Sequence, residues 1–401
     1  MTWRIGTVIS TGRSWRGARE LEVTLDRPLP SAPDDATPDD ATGPVTARAL
    51  AYTDLVGEPV PGDALLLNVS ALARGLGTGG YALVVGPAAA TGLPPDPAPG
   101  PGHLVKARYT PLQAMVLGVD EQESPHHAAL AHADTLDGMP VVVADLHSAL
   151  PAVVAGLRHA AGATADGLKI AYVMTDGGAL PAAFSRTVAA LRDAGWLSTC
   201  ITVGQAYGGD LEAVTVHTGL LAARHVAGCD AVVVAQGPGN LGTGTRWGYS
   251  GVAAGEAVNA AATLHGRPVA SLRVSGADPR DRHLGVSHHS LTAYGRVALA
   301  PADVPVPAAT SDVENLSGWG TGLTRRIHEQ TRTLPVRHTL VDVPADLGLV
   351  DTLRTSPAGL RTMGRDLDAD PASFVAAAVA GVHAHRLALA TGSPSRHDGR
   401  D

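Results

Sequence analysis

Asp230-Ala-Val-Val-Val-Ala-Gln236-Gly-Pro-Gly-Asn-Leu-Gly-Thr-Gly-Thr245 is the stretch whose reading decides the fold. Ala231 to Ala235 is continuously apolar rather than alternating. Such a run fits a strand covered on both faces, as in a parallel sheet between layers of helices. It breaks at once into Gly237, Gly239, Gly242 and Gly244, where the backbone is free to approach something closely. The first three of these carry the letters G-x-G-x-x-G. A dinucleotide fingerprint also needs a helix opening at the third glycine and an acid ending the next strand. Gly244, Gly248 and Gly251 keep a helix from starting there. The next helix is expected at Val252–His265, and the strand after it, Pro268–Val274, ends near Arg273 with no acid. The loop therefore reads as a cradle of exposed backbone N–H groups for an anion. Glycines that merely let a helix pack on the sheet are the competing reading.

Outward from this stretch, the chain alternates strands and helices from residue 103. Strands are expected at Ala114–Val119, Val141–Ala144, Lys169–Met174 and Thr199–Val203. Helices are expected at Ala149–Ala160, at Pro181–Ala194 with Pro181 in its first turn, and at Leu211–Val226. Two more are expected at Asp346–Leu353 and Pro371–Leu389, the last with Asp370 as N-cap. This rhythm implies a mostly parallel, Rossmann-like, three-layer α/β domain over 103–390. Residues 1–86 read differently, as short alternating strands at Arg4–Ile9, Glu20–Leu25, Ala47–Tyr52, Ala64–Leu67 and Tyr81–Val85. With turns such as Pro61-Gly62-Asp63, they suggest a small β-barrel-like domain. A Pro- and Gly-rich linker is expected over 87–102 and a frayed tail over 391–401. The tandem repeat Pro33-Asp-Asp-Ala-Thr37 and Pro38-Asp-Asp-Ala-Thr42 reads as a solvated loop expansion.

The bulk composition narrows the function. Aromatic residues make up 3% and the net charge is −8 over 401 residues, with a pI near 6.1. Stacking platforms and basic footprints for nucleic acid or anionic membranes are therefore not expected. No apolar run reads as long enough to span a membrane and no signal core opens the chain, so a cytoplasmic protein is expected. Cys200 and Cys229 read as buried structural thiols.

The chemically unusual residues follow the strands. Asp145, His147 and Ser148 come after one, Asp176, Gly177 and Gly178 after the next, and Gln205 to Asp210 after the third. The glycine loop comes after the fourth. Asp278, Arg280, Asp281, Arg282, His283, His288, His289 and Ser290 follow the fifth. In a parallel sheet the loops after the strands share one edge, where ligands bind. His147, Asp176, Asp210, His288 and His289 are the catalytic candidates. Gly177, Gly178, Gly237, Gly239, Gly242, Gly244 and Arg280 are the candidates for holding an anion. Histidines 126, 127, 147, 283, 288 and 289 with Asp145, Asp176 and Asp281 offer enough donors for a divalent metal, although the spacing matches no known ligand motif. Ser148 and Ser290 lack the setting of a strained nucleophile and read as helix-capping residues.

Several motifs occur together and in order. They are Arg108-Tyr-Thr-Pro-Leu-Gln113, Glu121-Gln-Glu-Ser-Pro-His-His127, Leu136-Asp-Gly-Met-Pro-Val-Val-Val143 and Thr175-Asp-Gly-Gly-Ala-Leu-Pro181. Gly208-Gly-Asp-Leu-Glu-Ala-Val214, Gly242-Thr-Gly-Thr245 and Ser287-His-His-Ser-Leu-Thr292 follow. As a set they resemble the bacterial domain of unknown function 3866 family over about residues 4–381. The resemblance implies the domain layout and carries no activity or site residues. From the residues themselves we expect an enzyme acting on a small anionic metabolite, with metal-assisted or acid–base chemistry. The alternatives are a non-catalytic sensing or assembly protein that docks a partner through the barrel, and an NADP-type oxidoreductase, for which Arg273 is the only extra support; a homo-oligomer is compatible with each.

Overall fold

The computed structural model describes residues 1–29, 45–76, 79–89 and 100–392. The tandem acidic repeat, most of the linker and the tail expected beyond the last helix fall outside these described residues. The chain forms two compact units. One comprises Met1–Pro101 with Ala107–Ala114, the other Gly102–Lys106 with Met115–Asp401.

In the first unit β1 (Trp3–Trp15), β2 (Ala18–Leu25), β3 (Val45–Tyr52), β4 (Ala64–Asn68) and β5 (Ala82–Pro87) close into a barrel in the order β1-β2-β3-β5-β4. A short helix, α1 (Thr53–Val56), follows β3. Alternation sets the interior. Along β1, Arg4, Gly6 and Val8 are buried while Trp3, Ile5, Thr7 and Ile9 face out. Val8, Leu21, Val23, Leu65, Leu67 and Val84 fill the centre. Each such side chain contributes about 1.5–3 kcal/mol. A Cβ at Gly6 would lie 2.5 Å from Leu67 Cδ1, so glycine is what lets β1 close over that side chain. Glu20 is buried beside Arg13, Arg48 and the Tyr81 hydroxyl. Burial works against its charge, but the hydrogen bonds from Arg13 and Tyr81 prevail and bring its pKa down to about 2.

The second unit opens with a ribbon of β6 (Leu104–Lys106) and β7 (Ala114–Val116), then α2 (His127–Leu130). The main sheet is built from β8 (Pro140–Val143), α3 (Leu150–Ala161), β9 (Ile170–Thr175), α4 (Arg186–Asp193), β10 (Thr199–Thr202), β11 (Leu211–Glu212), α5 (Val216–His225), β12 (Ala231–Gln236), α6 (Ala254–Thr263) and β13 (Arg267–Ala270). A second ribbon, β14 (Val274–Ser275) with β15 (Gly285–Val286), leads into α7 (His288–Thr292). The chain continues through β16 (Asp303–Ala309), α8 (Ser311–Glu314), α9 (Leu323–Thr331), β17 (Thr339–Ala345) and α10 (Leu347–Arg354). The hairpin β18 (Arg361–Thr362) with β19 (Arg365–Asp366) precedes α11 (Pro371–Gly392). The eight strands lie in the order β11-β10-β9-β12-β8-β13-β16-β17. Every pairing among them is parallel. Val141, Val142, Val143, Val232 and Val233 are fully buried, as strands between two helix layers require. Helices α3, α10 and α11 form one layer, and α5 and α6 pack against the sheet in the other.

The tightest helix contact is α3 on α11. A Cβ at Gly156 would sit 1.9 Å from the Ala378 carbonyl oxygen, and one at Gly381 would sit 2.1 Å from that of Val153. Backbone approaches this close tolerate no side chain. Contrary to the expectation of no span-length apolar run, Pro371–Ala390 is long and apolar enough to cross a membrane, with a mean hydropathy of 1.3. Yet 78% of that window lies buried inside the unit.

Several boundaries differ from expectation. Pro181 leads only into a single 3-10 turn, Ala182–Phe184, and not into α4. Ser185 caps α4, its Oγ accepting from Val188 N–H. Leu211–Glu212 adds an edge strand to β10, and α5 begins only after Thr215, whose hydroxyl accepts from Thr218 N–H. The strand expected at Pro268–Val274 divides into β13 and β14 because the chain leaves the sheet after Ala270. Asp370 does not direct its carboxylate into α11. It accepts from Ser275 Oγ, Gly276 N–H and Arg365 instead.

Candidate functional site at the carboxyl edge of the sheet

An all-parallel sheet brings the loops after its strands to one edge. The chain leaves β8 toward β9 on one side, and leaves β12 for β13 on the other, crossing β8. Helices depart from these neighbouring strands in opposite directions, which opens a crevice at their carboxyl ends. Two hollows open at this edge, one of ≈ 480 Å³ between the ends of β8 and β13 and one of ≈ 240 Å³ between the ends of β8 and β12, counted to their mouths, and Asp145 lines both. The larger is also lined by Ser271, Arg273, Asp278, His283 and Arg365.

The loops at this edge are joined by contact. Gly178 is forced against the next loop, since a Cβ there would lie 2.1 Å from Gly237 O. Gln236 Nε2 donates to Asp145 O at 3.1 Å and to Asn240 Oδ1 at 2.9 Å. A Cβ at Gly251 would meet Asp145 O at 2.6 Å. Two residues earlier, Tyr249 stacks on the His289 ring, with centroids 3.8 Å apart and planes 2° from parallel. Its hydroxyl donates to His289 O at 2.7 Å. Asp176, the 237–244 turn and the paired imidazoles thus share one rim.

The ribbon makes the histidine cluster. Pairing of Val274 with Val286 folds 283–289 back over the end of β13, and Ser287 N–H donates to Arg273 O. Ser287 caps α7, its Oγ accepting from His289 N–H. The rings of His283, His288 and His289 then lie 4.3–5.0 Å apart by centroid. Burial, with Arg273 nearby, lowers His283 to about 4 and His289 to about 3. His288 is lowered by burial and by Arg282, Arg273, Arg246 and Arg280. All three rings are neutral near pH 7.

Buried polar atoms are normally hydrogen-bonded. Seven buried side-chain polar atoms among the described residues have no partner. Four of them belong to this edge: Asp145 Oδ2, Gln236 Oε1, Ser271 Oγ and His288 Nε2. Asp145 is 3% exposed. Burial raises its pKa, and Arg273 draws it part of the way back.

Residues 48–381 match the family described as "Protein of unknown function (DUF3866)". The chain belongs to the DUF3866 family. Neither a curated protein nor a solved structure shows a significant match to it.

In this DUF3866 chain the residues singled out from sequence are not equally placed. His147 sits at the edge, but both nitrogens are engaged, Nδ1 with Tyr172 Oη at 3.0 Å and Nε2 with Ser185 Oγ at 2.7 Å. Burial lowers its pKa to about 4, and it reads as a neutral structural imidazole. Asp176 is exposed and accepts from Gln205 N–H. Asp210 lies beside the start of β10, accepting from Cys200 N–H and pairing with Arg192. That is the opposite edge of the sheet, because the connection after β10 runs back before β11. Arg280 is held bidentately by Asp278. Glu123 and His127 are tied to Gly102 N–H and Asp120 O.

The glycine loop is a self-bonded finger, and, as expected, no helix opens in it. Thr243 N–H donates to Gly248 O, Leu241 N–H to Ser250 Oγ, and Gly242 bridges to Tyr249. Gly239 and Gly244 take φ of 93° and 82° to turn it. Gly177, Gly178 and Gly237 serve a close approach of two loops, which neither the anion cradle nor helix-on-sheet packing anticipated. The serines do not cap helices as expected. Ser148 Oγ donates to Thr362 Oγ1, and Ser290 Oγ accepts from Arg273 N–H.

Asp145 and Arg273, absent from the candidate catalytic and anion-holding sets, both line the larger hollow. Asp145 had one legible signal: it is the first charge after a fully apolar strand. Tyr249, Gln236 and Ser271 carried none.

Proposed function

We propose that this chain is a cytoplasmic enzyme that binds a small anionic metabolite in the cleft between the ends of β8 and β13. Arg273, with Arg246 and Arg282 nearby, holds the anion, and Asp145 moves protons. One observation carries the reading, namely the convergence of four unpartnered buried polar atoms at the crevice of a doubly wound sheet. Each unpaired buried polar atom costs about 1–3 kcal/mol, and four of the seven among the described residues gather at this edge. A buried carboxyl raised in pKa is a state that proton transfer near pH 7 uses. The assembly reading has one observation of its own, the outward row of Trp3, Ile5 and Ile9 on β1.

The test is thermal-shift and calorimetric screening against phosphate- and carboxylate-bearing metabolites, followed by turnover assays on whatever binds. Binding lost in Arg273→Gln and turnover lost in Asp145→Asn are expected. Binding that survives Arg273→Gln unchanged would contradict the assignment.

A further inference from the structure

We propose that His283, His288 and His289 are the ligands of a divalent transition-metal ion of the zinc type, with one coordination position open to the cleft. The proposal deepens the enzyme reading above and rests on it for the use made of the ion. One candidate ligand atom from each residue lies within 4.8 Å of the other two. Three nitrogens about 2.0–2.1 Å from a tetrahedral zinc lie roughly 3.4 Å apart. Small torsions of rings already 4.3–5.0 Å apart close that gap.

Successive residues on a helix diverge by about 100°. Here His288 opens a five-residue helix directly after the extended Ser287, so its ring converges on that of His289 instead. Three neutral imidazoles packed on one another leave His288 Nε2 buried with no partner, and a shared ion supplies one. Two of the rings are already oriented from behind, as metal-bound imidazoles are. His283 Nδ1 meets Ser287 Oγ at 2.8 Å, and Tyr249 clamps His289. His283 and His289 are buried while His288 is half-buried. That asymmetry suits a catalytic site, with three protein ligands and one exchangeable position, better than a closed structural one.

Arg273 opposes the ion. Its guanidinium donates to His289 Nδ1 at 3.2 Å, which leaves the ring proton on Nε2. Arg273 must let go for His289 to present an Nε2 lone pair, and its charge repels a dication. An anionic metabolite lying against both Arg273 and the ion offsets that repulsion, so ion and anion bind cooperatively.

The test is titration of the full chain with Co²⁺, read by ligand-field absorption, and with Zn²⁺ as competitor. One ion per chain is expected. His288→Ala and His289→Gln each weaken binding by more than the about 10–100-fold that loss of an outer-shell partner costs, with melting curves checking that they fold. X-ray absorption on the wild-type cobalt form reads three imidazole donors, and Arg273→Gln tightens binding. No cobalt spectrum, or His variants that bind as well as wild type, would overturn the proposal. Its failure is separable from that of the enzyme reading. Anion turnover that persists in chelated protein removes the metal and keeps the enzyme. Cobalt on three imidazoles with no anion bound keeps the metal and removes the enzyme.

Discussion

Asp145→Asn should make the protein more stable and less active. The wild-type carboxyl is 3% exposed and leaves Oδ2 without a partner. An unsatisfied buried polar atom costs about 1–3 kcal/mol, more when charged. Arg273 returns part of this, since its charge draws the raised pKa back. Asparagine keeps the shape and removes the charge. A net gain of about 1–2 kcal/mol at pH 7 follows, or roughly 2–5 °C in Tm for a unit of this size. The pH dependence supplies an internal control. The folded pKa is raised above the unfolded value of about 3.9. The group's contribution is therefore fully present below that value and is lost as pH rises through the folded pKa. The advantage of asparagine should be largest at pH 7 and shrink toward pH 4. Melting curves of both proteins across that range, with anion binding measured alongside, decide it. A variant that melts lower at pH 7, or gains equally at both ends, would show that the carboxylate is a structural anchor.

Other expectations follow from the same geometry. His147 is held neutral by burial at a pKa of about 4. Its folded value is depressed below the unfolded value near 6.5, so its contribution is present above about pH 6.5 and lost as pH falls toward 4. The loss is on the order of 2–3 kcal/mol, and urea titrations of wild type and His147→Gln should show a weaker acid dependence in the variant. Gly156→Ala should destabilise by about 1–3 kcal/mol despite alanine's better helix propensity, because α3 and α11 must part by about an ångström; a chemical melt no lower than wild type would refute that packing. Gly178→Ala should cost a similar amount and weaken anion binding as well, since it pushes the 237 loop away from Asp145, and calorimetry on the folded variant reads the second effect. Arg273→Gln should weaken binding of an anionic ligand by about tenfold or more, as loss of a charge-assisted hydrogen bond of about 1.5–3 kcal/mol implies.

The sheet was legible because Val141–Val143 and Ala231–Ala235 are unbroken apolar runs with loop chemistry directly after them. Parallel connections then oblige those loops to share an edge. The barrel was legible from the alternation of Leu21, Val23 and Leu25. What escaped detection has physical causes. Strand β16 contains Pro305 and Pro307, which ordinarily exclude an interior strand, yet it lies between β13 and β17. Asp210 follows β10 in sequence but returns to the start of the strand, because one short extra strand reverses the course of the loop. The histidine cluster depends on Val274 pairing with Val286, a tertiary contact that no local pattern announces. Glycines 177, 178 and 237 looked like ligand contacts, whereas the close approach they serve is between two loops of the same chain.

The most direct trial of the cleft is a crystal structure of the full chain soaked with inorganic phosphate. The account predicts density within hydrogen-bond distance of Arg273, in the hollow lined by Asp145 and His283. Phosphate held by the 239–247 finger or on the outer surface, with that hollow filled only by solvent, would contradict it.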